Sequence, residues 1–497
     1  MYNRTFAQMP MNSLFMQKAY IDGQWLDALN HARISVLNPA SREVLGTVPA
    51  MGEGETVQAV EAADQAFQDW RHSDVHYRAK LLKRWFDLIQ QNKQLLADIL
   101  TAEQGKPIEE AVKEVDYGAE FVSWFAEEAK RIYGKMMPKY RKDAISFVDK
   151  QPVGVVGAIT PWNFPVAMIT RKCAPALAAG CTLVIKPAED TPFSAIALLR
   201  LAEQAGFPPG VINLVTGDAQ AIGKILTSHP LVRHISFTGS TKIGKLLMQQ
   251  CAGQLKKMSL ELGGNAPFIV FEDADLDQAV QGAMASKFRN TGQTCVCINR
   301  MLVHEKVYPS FTERLAKQMQ QLRPGPGEDR QYNQGPLIDD SSLSKVQLHI
   351  QDALDKGAKL IMGGQVHQDG KTFFQPTLLT EMQTNCLIAQ EETFGPVAAL
   401  FRFREEEEAV SIANDTPYGL SAYFYTQNMD RAFRVSKALE YGIVGINETM
   451  LSSAASTFGG MKESGIGREG GPYGIETFLE KKYTLIGNLT LAYSSFS

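Results

Sequence analysis

A chain of 497 residues with 44% hydrophobic content is too long for one ordinary domain and can bury two cores, which excludes a small binding module. Its 50 basic and 54 acidic residues are interspersed and sum to a formal net charge of -4, so no footprint for nucleic acid or anionic lipid appears. Six cysteines form neither C-x-x-C pairs nor a disulfide-dense framework. No apolar run nears the ~18 residues of a membrane span or forms a secretory h-region, and the chain reads as cytoplasmic.

Residues 1–20 carry two basic and no acidic residues, faintly like a transit peptide, but a frayed terminus is expected. From 20 to 48 short alternating strands are broken by Asp22-Gly23 and Asn38-Pro39, which predicts hairpins. Two amphipathic helices follow, one presenting Val57, Val60, Ala63, Phe67 and Trp70, the next Leu81, Leu82, Trp85, Leu88 and Ile89; these aromatic stripes are core packing. After Pro152, buried strand runs at 153–159, 182–185, 211–215 and 235–237 alternate with helical stretches, the pattern of a doubly wound parallel sheet. A second α/β series starts near Met258, with strands at 268–271, 301–304, 397–401, 422–425 and 443–446. The Gly- and Pro-rich stretch 323–335 reads as a long surface loop, and there is no internal repeat.

Three segments carry chemistry. Gly292-Gln293-Thr294-Cys295-Val296-Cys297 places a thiol at a Gly-allowed turn after a helical run ending near Asn290. Alone, this pair reads more readily as two buried cysteines. Glu261-Leu262-Gly263-Gly264-Asn265 sets a carboxylate at a strand end, followed by glycines that permit close approach; the acid could be a general base or salt-bridged. Pro161-Trp162-Asn163-Phe164-Pro165 is a stiffened loop directly after a sheet strand, where open α/β sheets bind ligands. The eight scattered histidines suggest no metal site.

With these motifs the sequence resembles the aldehyde dehydrogenase superfamily from about Tyr20 to about Ile486. The family's Gly-Gln-x-Cys appears as 292–295, its Glu-Leu-Gly-Gly as 261–264 and its Pro-Trp-Asn-Phe-Pro as 161–165. Lys-Pro-x-Glu appears as 186–189, Gly-Ser-Thr-x-x-Gly as 239–244 and Glu-x-Phe-Gly-Pro as 392–396. The resemblance implies an aldehyde dehydrogenase-like α/β fold, two tandem doubly wound α/β domains plus a β oligomerisation arm. The NAD-binding domain would span 1–131 and 152–258, the catalytic domain 259–476 and the arm 132–151 with 477–497. A homodimer or homotetramer is implied, acting on a small-molecule aldehyde.

The implied chemistry is addition of the Cys295 thiolate to an aldehyde, with the oxyanion held by the Asn163 amide and the Cys295 backbone N–H, hydride loss, and hydrolysis of the thioester with Glu261 as base. Some lowering of the Cys295 pKa is expected. NAD is implied as cofactor, held by Thr160, Pro161, Trp162, Lys186, Glu189, Gly239, Ser240, Glu392 and Phe394. NADP is less favoured, because Glu189 would repel a 2′-phosphate. Members that pass the acyl group to coenzyme A lack the glutamate, so Glu261 favours hydrolysis. A cofactor-independent Cys esterase would leave Lys186, Glu189 and the Gly239 turn unexplained, and a non-catalytic relative would have lost Cys295 or Glu261.

Among subfamilies, the resemblance to succinate-semialdehyde dehydrogenases is closest, in 169–172, 287–299 and 441–447. It implies that Arg171 and Arg289 bind the substrate's distal carboxylate, with Ser452 as an added donor. A proline normally precedes Phe-Gly-Gly, where Thr457 stands here, so glutarate or 2-oxoglutarate semialdehyde are the alternatives. Cys297, two residues from Cys295, is a candidate redox partner for it.

Overall fold

The structure, a computed structural model, describes residues 14–368 and 370–489. The expectation of a frayed terminus therefore lies outside the described residues up to position 13, as does the arm beyond 489.

The chain opens with β1 (Ala19–Ile21) and β2 (Gln24–Leu26), joined by Asp22 and Gly23 at φ 51° and 75°, the mirror-image turn that suits the twist of a two-residue hairpin. A second hairpin pairs β3 (Arg33–Leu37) with β4 (Val44–Pro49). Four helices follow: α1 (Glu53–Trp70), α2 (Val75–Gln91), α3 (Lys93–Gln104) and α4 (Ile108–Glu128). The apolar spacings of α1 and α2 become buried faces, with Val60, Ala63, Phe67 and Trp70 on one and Leu81, Leu82, Trp85 and Ile89 on the other. Then come β5 (Lys135–Met136) and β6 (Ile145–Pro152).

From here strand and helix alternate: β7 (Val155–Ile159), α5 (Pro165–Ala179), β8 (Thr182–Lys186), α6 (Pro192–Ala205), β9 (Ile212–Leu214), α7 (Ala219–Ser228), β10 (Val232–Thr238), α8 (Thr241–Ala252) and β11 (Lys257–Glu261). The sheet runs β11-β10-β7-β8-β9 with every pair parallel. The chain moves outward from β7 through β8 to β9, then crosses to β10 on the other side, so a crevice opens at the carboxyl ends of β7 and β10. β11 stays in this sheet through Glu261, past the sequence break near Met258.

A second sheet takes β12 (Ala266–Val270), α9 (Leu276–Lys287), β13 (Ile298–His304), α10 (Tyr308–Met319), α11 (Asp340–Asp355), β14 (Lys359–Met362), β15 (Thr377–Thr380), α12 (Leu387–Gln390), β16 (Val397–Phe403), α13 (Glu406–Asn414), β17 (Ser421–Tyr425), α14 (Met429–Ala438) and β18 (Ile443–Ile446). Its order is β14-β15-β16-β13-β12-β17-β18, parallel except at β14. The chain then returns: β19 (Gly465–Ile466) pairs with β11, placing Gly465 opposite Glu261. Finally β20 (Leu479–Ile486) pairs along all of β6, giving a separate β20-β6-β5 sheet.

The loop 323–335 is only partly a surface loop. Gly327 and Gly335 press on the backbone of Gly105 and Lys106 so closely that a Cβ on either would stand 2.3 Å from a carbonyl oxygen. Its glycines therefore buy contact as well as turning. Among the described residues no helix is long and apolar enough to cross a membrane.

Candidate active site

Helix α9 runs out at Phe288 into a tight turn in which Asn290, Thr291 and Gly292 all have positive φ, at 49°, 58° and 77°. Such backbone persists only where its surroundings over-determine it. Here Asn290 N donates to Glu110 at 2.7 Å, Thr291 Oγ1 to Gly335 O at 3.0 Å, and Gln293 Oε1 accepts from Ile338 N at 3.0 Å. A Cβ at Gly292 would lie 2.3 Å from Gly395 O, so only glycine fits. Tyr423 then ties Val296 O at 2.7 Å. Cys295 stands partly exposed on this fixed loop, and its N–H donates to no group among the described residues.

The other two motifs converge on the same loop. Asn163 follows β7 and donates through Nδ2 to Gln293 O at 3.1 Å, while its carbonyl accepts from Asn290 Nδ2 at 3.0 Å and Lys106 Nζ at 2.8 Å. Lys106 is itself buried in an ion pair with Glu114, whose other oxygen caps the start of α5 through Val166 N at 2.9 Å. Gly264 lies so near Cys295 that a Cβ there would meet its carbonyl oxygen at 2.5 Å. Glu261, at the end of β11, is buried, and its Oε2 has no hydrogen-bond partner.

Electrostatics differ from expectation at the thiol. Burial, with the carboxylates of Glu392 and Glu261, pushes the Cys295 thiol up to about 12, against the opposing pull of Arg171 and Arg289. The expected lowering is therefore corrected: desolvation and two acids outweigh two guanidiniums. Burial raises the Glu261 carboxyl well above its ordinary range, helped by the like charge of Glu469 and resisted by Arg171, Lys172 and Arg468. Burial also lifts Glu392 to about 7.

Of the residues expected to hold a cofactor, those from 160 to 240 lie at or just after strands of the first sheet, while Glu392 and Phe394 lie between α12 and β16. Thr160 N donates to Lys186 O at 3.1 Å, linking the ends of β7 and β8. Lys186, which alone would read as a solvated lysine, is 4% exposed and paired with the more exposed Glu189. After β10, Gly239 N donates to Glu261 O at 3.0 Å, and Ser240 caps α8 by accepting from Ile243 N at 3.4 Å. Pro161 and Trp162 follow β7, and the Trp162 ring meets Phe394 edge-on at 5.6 Å. Glu392 Oε1 accepts from Gly264 N at 3.4 Å. Two carboxylates suited to ribose hydroxyls, a helix N-terminus suited to pyrophosphate, and the buried, unpartnered Thr238 hydroxyl beside it fit a dinucleotide.

Arg171, on α5, and Arg289, in the turn before Cys295, both bear on the thiol. Arg171 Nε faces Glu469 Oε2 at 2.9 Å, and its guanidinium lies 3.8 Å from the Phe458 ring. Arg289 has no ion pair among the described residues, and its guanidinium lies 5.3 Å from the Phe164 ring. Ser452 Oγ is hydrogen-bonded to Tyr117.

Against known proteins, the model of the aldehyde dehydrogenase family matches residues 25–484. The chain belongs to the aldehyde dehydrogenase family. It is 56% identical over 476 residues to the NADP(+) succinate-semialdehyde dehydrogenase of Escherichia coli (strain K12), across 96% of this chain and 99% of that protein. A glutarate-semialdehyde dehydrogenase of Pseudomonas aeruginosa is 54% identical over 476 residues, again 96% and 99% of the two chains. The crystal structure of succinate-semialdehyde dehydrogenase from Burkholderia pseudomallei matches with a TM-score of 0.96 at 53% identity, over 97% of this chain and 100% of that one.

In this aldehyde dehydrogenase, Cys297 is a free, buried thiol that accepts from Lys287 Nζ at 3.3 Å and is turned toward Ile298 O. What sequence reasoning missed is α4. Its residues Glu110, Glu114, Tyr117 and Phe121, at alternating spacings of four and three, meet Asn290, Lys106, Ser452 and Arg171 in turn. That spacing was a readable signal: polar residues repeating along one face of a helix otherwise rich in apolar positions.

Proposed function

We propose that this aldehyde dehydrogenase oxidises succinate semialdehyde to succinate with NAD, and that Cys295, Glu261 and Asn163 carry the reaction. The observation that carries the substrate reading is a pair of guanidiniums, Arg171 and Arg289, bearing on the nucleophile, one of them without a carboxylate partner. A four-carbon semialdehyde brings that carboxylate.

In the proposed reaction the Cys295 thiol releases its proton to solvent and its sulfur bonds to the aldehyde carbon, the C=O π bond breaking to leave the charge on oxygen. The new oxyanion takes the Cys295 N–H and the Asn163 amide, which must leave Gln293 O. Nicotinamide, when bound, supplies the hydride acceptor. Loss of hydride leaves a thioester on Cys295. Glu261 then takes a proton from water as the water oxygen attacks that carbonyl, and the acid departs as the thiol is restored. Glu261 lies where Gly459 lets the chain pass within about van der Waals contact, a Cβ there being 3.0 Å from Oε1, so the base is enclosed without being tied.

For the cofactor, the support is Glu189: it stands where a ribose diol would be accepted, and at an effective dielectric of 20 its charge would oppose a 2′-phosphate by at most about 4 kcal/mol at 4 Å. Lys186 beside it offsets part of that repulsion, and the E. coli relative is named for NADP. Comparable kcat/KM with the two cofactors would overturn the NAD assignment. The further reading is a cytoplasmic homodimer or homotetramer assembled through the β20-β6-β5 arm.

The deciding experiment is a kinetic panel. Arg171→Ala and Arg289→Ala should each raise KM for succinate semialdehyde by the roughly 2–5 kcal/mol that follows truncation of one partner in a desolvated charge pair, while butanal is spared. Equal losses on both aldehydes would make the arginines structural. A higher kcat/KM for glutarate semialdehyde would reassign the substrate within the same chemistry.

A further inference from the structure

Helices α4 and α5 pack tightly at Gly118, where a Cβ would stand 2.9 Å from Val166 Cγ1 and 3.2 Å from Thr170 Oγ1. Only a residue without a side chain allows that approach, and it carries the neighbouring Tyr117 alongside Arg171. The two side chains share one aromatic wall. Tyr117 meets the Phe121 ring edge-on at 5.0 Å, and the Arg171 guanidinium lies 5.3 Å from the same ring. Arg171 is ion-paired with Glu469 at Nε, 2.9 Å away, but neither its Nε nor its buried Nη2 makes a hydrogen bond.

Half-buried Tyr117 makes its hydrogen bond to Ser452, on the loop that follows β18. Of the two hydroxyl protons one makes this bond, and the other has no acceptor among the described residues. When Ser452 donates to Tyr117, the Tyr117 proton is the free one, and a carboxylate arriving at Arg171 accepts from it as well as from the guanidinium. We propose that the Tyr117 hydroxyl is a carboxylate-binding group of the substrate pocket, which with Arg171 and Ser452 selects aldehydes that end in a carboxylate. This rests on the reading that the substrate carries a distal carboxylate, and adds to it a specificity residue on α4.

A purely structural role would have the Tyr117–Ser452 bond tie α4 to the loop. Tyr117→Phe separates the two roles, because it keeps the ring against Phe121 and removes only the oxygen. The expected result is a rise of about tenfold in KM for succinate semialdehyde, the order lost with one hydrogen bond to a charged group, with kcat within about twofold. Butanal kinetics should be unchanged, and the thermal midpoint should fall by no more than the loss of one hydrogen bond accounts for. An equal change on both aldehydes, or none on either, overturns the assignment. Arg289→Ala is measured alongside. If it discriminates between the aldehydes and Tyr117→Phe does not, Tyr117 is structural and the carboxylate reading stands; if neither discriminates, both fail.

Discussion

Cys295 holds its proton at neutral pH, since burial, Glu392 and Glu261 push the thiol up to about 12 over the opposition of Arg171 and Arg289. Below such a pKa the thiolate fraction grows tenfold per pH unit. Alkylation of Cys295 by iodoacetamide in the enzyme without cofactor should therefore accelerate about a hundredfold from pH 7 to pH 9, followed by mass spectrometry of the 292–297 peptide in a Cys297→Ala background. A plateau near pH 8 would show a thiol lowered by its arginines instead. The proposed base titrates in the same direction. Burial and Glu469 raise Glu261, so its carboxylate form, the one that would accept a proton from water, grows as pH rises through that raised value. Glu261→Gln should still release a burst of NADH in a single turnover and then stall as acyl-enzyme, while Cys295→Ala gives no burst. A missing burst in the glutamine variant would remove Glu261 from the second half-reaction.

Among the elements, α4 and α5 decide whether the site holds its shape. The Lys106–Glu114 pair is buried, caps α5, and fixes Asn163 through its carbonyl. Removing one partner of such a pair leaves an uncompensated charge and costs roughly 3–5 kcal/mol. Glu114→Ala should lose about that much in chemical denaturation and lose activity with it. Glu53→Ala, which breaks an exposed pair with Lys224, should cost under about 1 kcal/mol. Equal costs would mean that the buried pair is not what secures the loop. This contrast also shows what could be read from the sequence. The strands after Pro152 were legible because runs such as 182–186 are wholly buried and bounded by glycine and proline, and the motifs around Asn163, Glu261 and Cys295 because they match the family's in order and spacing. On α4 the spacing could be read but its partners could not, since Asn290 and Ser452 lie 180 and 335 residues away in sequence. Nor was the raised thiol legible, which depends first on its burial in the folded chain and then on Glu392, brought back to Gly264 from far along the sequence.

At the scale of the molecule, the arm is the element least able to account for its own stability. β20 and β6 pair over their full length, but β5 adds only two residues, and the sheet carries Met136 at 65% and Tyr483 at 53% exposure, with Tyr140 at 65% on the loop between β5 and β6. A narrow ribbon of this kind is marginal when solvated on both faces, and the outer edge of β20 offers unpaired N–H and C=O groups for another strand. Helix α8 adds a second apolar surface, with Ile243, Leu246 and Met248 each more than 40% exposed. Both features have a simple resolution in a second copy of the chain laid against them, because a self-complementary two-fold contact covers the same patch twice. The prediction is that light scattering coupled to size exclusion gives a mass of two or four chains. Tyr483→Lys with Leu485→Lys, two positions that share a face of β20, should shift that mass toward one chain and lower the thermal midpoint. Like charges placed on both sides of a two-fold contact repel, so the shift should shrink at high salt. A wild type that elutes as a single chain would remove the arm from assembly, and so would a double variant of unchanged mass.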